Sequence, residues 1–258
     1  MIKNIKVEIC CGSYYDALQA WKGGVSRIEL NSALHLGGLT PSLGTLHLIK
    51  KNTKVEVICM VRPRGAGFCY GEEDFEVMLE DARILLENGA DGIAFGCLTI
   101  DGKINEEQSK EMVRLIKSYN KEVVFHRAFD CVVDVDEAME TLISLGVDRV
   151  LTSGLKETAI AGAETIRYLQ KEYGEQIQIL AGSGINIQNV KKLIVQTGIE
   201  QVHSSCKGWL QDMTTYGENV SFAYREEEQG ECKKDQRGDY EIVDTSIVKK
   251  FIDMAMTI

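Results

Sequence analysis

Gly24-Val25-Ser26-Arg27-Ile28 and Gly146-Val147-Asp148-Arg149-Val150 are two copies of one phrase, repeated at Gly89-Ala90-Asp91-Gly92-Ile93 and at Gly198-Ile199-Glu200-Gln201-Val202. Each copy opens on a glycine suited to the left-handed position after a helix. An apolar residue, a mostly polar pair and a β-branched strand start follow. The copies lie 65, 57 and 52 residues apart, about twice the ~30 residues of one strand-plus-helix step. Each gap should therefore hold another strand. Four candidate runs fit: Ile5 to Ile9, Val55 to Met60, Val123 to Phe125 and Ile177 to Leu180. Eight short runs separated by helical patterns predict an α/β chain folded as a single-domain (β/α)8 TIM barrel over residues 1–258.

The intervening segments carry helical stripes. Phe75, Met78, Leu79, Ala82, Leu85 and Leu86 recur at the i, i+3, i+4 spacing of one apolar face, as do Val135, Ala138, Met139 and Leu142, then Ile187, Val190 and Leu193. The polar stretch 209–240, with its charge run Arg225 to Glu228, reads as a loop excursion after the eighth strand, and 247–256 as a closing helix.

Composition narrows the function classes. A net charge of −10 with a pI near 5.0 repels phosphate backbones and argues against nucleic acid as partner. No apolar run approaches the ~18 residues a membrane span needs, and Met1 to Cys11 lacks the layout of a secretory signal, so a cytoplasmic protein without membrane attachment is expected. The eight cysteines form no C-x-x-C pair and are read as reduced thiols.

In this fold, function gathers where the strands end. Strand one ends in Glu8 and Cys10, strand two in Glu29 and Asn31, strand three in Arg62 and Arg64, strand five in His126, Arg127 and Asp130, strand six in Thr152 and Ser153, and strand eight in His203, Ser204 and Ser205. Alternation along a strand turns Glu8 with Cys10, Glu29 with Asn31, and Arg62 with Arg64 toward one face. Glu8, Glu29, His126 and Asp130 are then candidate proton-transfer groups. Arg62, Arg64, Arg127, His203 and Ser204 are candidate anion ligands. Buried ion pairs that only fill the barrel are the competing reading. Gly182-Ser183-Gly184, leading to a helix expected near Asn186, can cradle a phosphate on its backbone N–H groups, or can be an ordinary tight turn.

For a metal, Cys10 is the candidate ligand, and soft sulfur donors would favour Cu(I) if several converged. Only one of Cys59 and Met60 can face inward. Cys59, Cys97 and Cys131 read as core or loop thiols, and His35 and His47 as solvated or capping.

These strand ends resemble the CutC family from the first strand to the last helix. The resemblance rests on Glu8-Ile9-Cys10, Arg27-Ile28-Glu29-Leu30, Gly37-Gly38-Leu39-Thr40-Pro41-Ser42, Arg62-Pro63-Arg64-Gly65, Phe125-His126-Arg127-Ala128-Phe129-Asp130, Arg149-Val150-Leu151-Thr152-Ser153-Gly154 and the turn from Gly182 to Ile185. It implies a cytoplasmic barrel, monomeric or homodimeric, linked with copper homeostasis and copper binding. Members commonly carry cysteine where this chain has Asn31, and often where it has Ser204. Cys10 thus stands without those thiols, while the carboxylates, arginines and histidines match. Three functions are weighed: Cu(I) handling through Cys10; an isomerase, lyase or hydrolase acting on a small phosphorylated or carboxylated metabolite; and a binding barrel without turnover. Fold alone does not separate them.

Overall fold

The computed structural model describes residues 5–223 and 238–257. The charge run Arg225 to Glu228 lies outside these residues. Strand and helix alternate as the repeat predicts: β1 (Lys6–Cys11), α1 (Tyr14–Lys22), β2 (Arg27–Leu30), α2 (Leu43–Asn52), β3 (Glu56–Met60), α3 (Glu72–Glu87), β4 (Gly92–Phe95), α4 (Glu106–Ser118), β5 (Glu122–Phe125), α5 (Val135–Leu145), β6 (Arg149–Thr152), α6 (Ala163–Tyr173), β7 (Gln178–Ala181), α7 (Val190–Thr197) and β8 (Gln201–Ser204). The eight strands are parallel and close as β8 pairs with β1, Val7 beside Val202 and Ile9 beside Ser204. All four repeat glycines have positive φ, from 75° to 98°, which no Cβ opposes.

The predicted helix stripes are buried: Phe75, Met78, Ala82, Leu85 and Leu86 on α3, and Ala138, Met139 and Leu142 on α5. With the outward residues of the strands they form the main apolar cluster, between barrel and helices. Each buried Phe, Met or Leu among them contributes about 1.5–3 kcal/mol, so this outer shell carries the stability. The barrel's interior is thereby left free for costlier groups. Among the described residues no helix is long and apolar enough to cross a membrane.

The stretch after the eighth strand differs from the expected loop. Its described ends are strands, β9 (Lys207–Gln211) and β10 (Asp239–Val243), paired antiparallel. Val243 N–H donates to Asp16 Oδ1 on α1 at 2.8 Å, which ties this ribbon to the barrel. The closing helix, α8 (Thr245–Met256), begins two residues earlier than predicted, because Asp244 caps it by accepting from Ser246 and Ile247. It seats Val248 so close to Gly23 that a Cβ there would lie 2.4 Å from Val248 Cγ1.

Candidate functional site

Arg27 and Arg149 occupy the same place in two copies of the repeat, and both side chains are fully buried. They meet on Glu8. Arg27 Nε lies 2.6 Å and Arg149 Nη1 3.1 Å from Glu8 Oε2, while Oε1 holds His203 Nδ1 at 2.9 Å. Arg149 also pairs with Glu122, and Arg27 donates to Gln201. Burial alone would raise the Glu8 carboxyl, but Arg27, His203 and Arg149 together lower it to about 2. A carboxylate so saturated is a poor proton carrier. Glu8, expected among the catalytic candidates, lies below the mouth and orients His203.

One layer nearer the mouth, Cys10 Sγ, a Glu29 carboxylate oxygen and a His203 ring nitrogen lie within 4.8 Å of one another. Asn31 Nδ2 steadies the Glu29 carboxylate at 2.9 Å and also points at Cys10 Sγ, 3.6 Å away. All three groups are shifted toward their protonated forms. Burial, then the charge of Glu8, raises Glu29 despite the pull of His203. Burial likewise raises Cys10. For His203 burial disfavours the charge, but hydrogen bonds to Cys10 and Glu8 and the charge of Glu29 keep the imidazolium well above its ordinary range.

These groups line the floor of a cavity of about 480 Å³ at the strands' C-terminal ends. A wider hollow of about 730 Å³ lies on the outer surface over α3 and α4, bordered by Glu76, Glu80, Arg83, Glu111 and Arg114. Among the described residues the group of His, Cys and carboxylate side chains close enough to share a metal ion is at the mouth and not here, so the chemistry selects the mouth.

Several expected ligands are already committed. Arg64 is a correction: it does not pair with Arg62 in the mouth but turns outward to Asp74 on α3 at 2.7 Å, over the Tyr70 ring. Arg62 does border the mouth, yet Nη1 and Nη2 bind the carbonyls of Leu36, Gly38 and Ala66. The Asp130 carboxylate accepts from Thr152, Ser153 (amide and hydroxyl), Leu155 and Arg127, clasping the loops after β5 and β6. No lone pair is left for general-base work. Arg127 borders the mouth, half exposed, and also holds Ser153 Oγ at 3.0 Å. His126 is buried and its Nδ1 accepts from Ala128 N–H at 3.0 Å. Burial and the neighbouring Arg62 charge lower it to about 3, so the ring is neutral with its proton on Nε2.

The glycine turn is half as expected. Ser183 and Gly184 border the cavity with φ of 79° and 68°, but Gly182 does not border it, being packed on Leu151. The helix beyond starts at Val190 rather than near Asn186, because Asn186 and Asn189 first close a turn on Gly184 O. The turn thus presents amides rather than a helix terminus. Ser204 Oγ is spent on Ile185 O at 2.7 Å. The alternation rule does place Met60 in the interior and Cys59 in the outer core. The seven described cysteines are free thiols. Reading the strand ends missed Phe68, Leu151, Lys207 and Glu241 around the mouth. Their signal was weak, since three of them lie in loops or in the ribbon.

Fold and site together define a (β/α)8 barrel with a preformed polar mouth, floored by a thiol, a carboxyl and an imidazole. Residues 5–208 match the CutC family, and the chain belongs to it. A CutC family protein of Treponema denticola is 52% identical over 202 residues, covering 78% of this chain and 81% of that one. The human protein named copper homeostasis protein cutC homolog is 39% identical over 201 residues, 78% of this chain and 73% of that one. The crystal structure of CutC from Streptococcus agalactiae superposes with a TM-score of 0.74 at 29% identity, over 78% of this chain and 98% of that chain.

Proposed function

We propose that the chain handles copper in the cytoplasm, taking Cu(I) at Cys10 and His203 with Glu29 beside them. The observation that carries this reading is the convergence of those three donors within 4.8 Å. Behind them, the buried Glu8 fixes His203 Nδ1, the carboxylate–imidazole support common behind metal-binding histidines. A thiolate and an imidazole suit Cu(I), and the harder Glu29 oxygen adds negative charge. The copper homeostasis name of the human relative agrees. Asn31 supplies no second thiol, so Cys10 bears the affinity. Binding requires the thiolate and a bare His203 nitrogen, so uptake releases protons and tightens as pH rises. The test is titration of the reduced protein with Cu(I) against a competing chelator. One equivalent is expected to bind, at least tenfold more weakly in Cys10→Ala and in His203→Gln. Weak, non-stoichiometric binding indifferent to Cys10 would sink the reading.

A second reading is an isomerase, lyase or hydrolase acting on a small phosphorylated or carboxylated metabolite. The cavity volume of about 480 Å³ far exceeds what an ion needs. The amides of Ser183, Gly184 and Ile185 at its edge have no protein acceptor among the described residues. Glu29, its carboxyl raised above the ordinary range by burial, is the group suited to acid–base work. Thermal melts with phosphorylated metabolites test it. Stabilisation that grows with ligand concentration supports it, and none at millimolar ligand counts against it.

A further inference from the structure

Two N–H groups at the mouth are left over after every bond above is assigned. Arg62 is 5% exposed and His126 2%, yet among the described residues Arg62 Nε and His126 Nε2 make no hydrogen bond of ordinary geometry; the Tyr70 hydroxyl, equally unpaired, stands beside Arg62. A buried donor left unpaired costs about 1–3 kcal/mol, more when charged, so two at one site call for an acceptor. Both side chains touch the same ring. Phe68 lies 5.0 Å from the Arg62 guanidinium carbon and 5.2 Å from the His126 ring, centroid to centroid. Gly96, just past β4, permits this arrangement: a Cβ there would fall 2.6 Å from His126 Nδ1 and Cε1 and push the ring away. Phe68 itself is half-buried, in a segment that includes Gly65, Gly67 and the left-handed Ala66 at φ 67°.

We propose that Arg62 Nε–H and His126 Nε2–H together bind a ligand carboxylate, with the Phe68 ring closing over it. One cation beside one neutral donor matches a single negative charge, whereas a phosphate dianion would be under-neutralised. The Nη atoms of Arg62, tied to three carbonyls, hold the Nε–H in place without giving up its charge. The site lies at the ends of β3 and β5. The free amides of Ser183, Gly184 and Ile185 follow β7, so the ligand class is a small molecule with a carboxylate at one end and a phosphate at the other. This inference rests on the second reading above and names its substrate class.

Calorimetry on the full chain with inorganic phosphate, 2-phosphoglycolate, 3-phosphoglycerate and 4-phosphoerythronate tests it. At least one phosphocarboxylate is expected to bind ten times tighter than inorganic phosphate or better. That advantage should vanish in His126→Phe, with inorganic phosphate bound as before, which also shows that the variant folds. In the unsubstituted protein labelled with 15N-histidine, the Nε2 resonance of His126 should move with the phosphocarboxylate and stay still with phosphate. Phosphate binding with no phosphocarboxylate advantage, an advantage that survives His126→Phe, or an unmoved Nε2 resonance each overturns the carboxylate site and leaves the second reading standing. Binding of none of the four probes removes that reading, and the inference with it.

Discussion

On the β3, β4 and β5 side of the barrel, Ile58, Met60, Ala94 and Val124 fill the interior with hydrocarbon, whereas on the β1, β2 and β8 side Glu8, Cys10, Glu29 and His203 fill it with ionisable groups. Both halves have the same backbone and the same closure. The difference is that the polar half needs a second tier of support. Arg27 and Arg149, themselves buried, neutralise Glu8, which fixes His203, which in turn faces Glu29 and Cys10. The apolar half makes that support consequential, since its hydrocarbon wall keeps water out and lets burial dominate the shifts of Glu29 and Cys10. Chemistry is concentrated where desolvated titratable groups meet; the other half supplies stiffness and low polarity.

The sharpest way to break this comparison is to remove the hub. Glu8→Ala leaves Arg27 and Arg149 buried around an absent charge and is expected to cost about 3–5 kcal/mol, read by urea unfolding. Ile58→Val, the matching trim in the apolar half, should cost only about 1 kcal/mol. A Glu8→Ala cost no larger than that of Ile58→Val would mean the polar half is not built around Glu8.

Acid titration makes the same contrast more gently. The Glu8 carboxyl sits at about 2 in the fold against an ordinary 4.5, so its stabilising contribution is complete above 4.5 and is lost as pH falls toward 2. Glu29 is shifted upward, so its ionisation opposes folding and acid relieves it. Urea midpoints measured from pH 6 down to 3 should therefore fall less steeply in Glu8→Gln than in the unsubstituted chain, and more steeply in Glu29→Gln. Equal slopes in all three would deny the two carboxyls opposite roles.

The barrel itself was legible because its signal is periodic. The four glycines predict the strand starts, and all eight strands appear where the intervals place them. The groups that converge at the floor were readable from strand positions, since Cys10, Glu29 and His203 lie within β1, β2 and β8, whereas Ser204, also in β8, is turned to Ile185 O. What stayed hidden were pairings between strands distant in sequence. Arg27 and Arg149 sit in the repeat itself, yet nothing local reveals that both reach Glu8. The saturation of Asp130 depends on Leu155 and Ser153, which a list of strand ends cannot rank. Beyond Ala181 the turn closed by Asn186 and Asn189 delays the helix, because side-chain amides compete with helix initiation.

Arg62 and Arg64 show where alternation stops working, and they set the smallest expected effect. The period-two rule holds while the chain is a strand, and β3 ends at Met60. Pro63 lies between the two arginines with no N–H to offer a ladder, so the chain turns and the two side chains part. Arg62 is buried at the mouth; Arg64, with a side chain 42% exposed, pairs with Asp74 on the outer face. Arg64→Ala removes that half-exposed ion pair and the solvent-facing bonds to the carbonyls of Gly65, Gly67 and Cys69; because water replaces them, it should cost about 1 kcal/mol and leave both Cu(I) and phosphate binding as they were. Arg62→Ala, which strips donors from the carbonyls of Leu36, Gly38 and Ala66, should cost more and should change the mouth. If the two variants behave alike in titration and in unfolding, the division between a mouth arginine and a surface arginine is wrong, and the loop after β3 presents both to the same ligand.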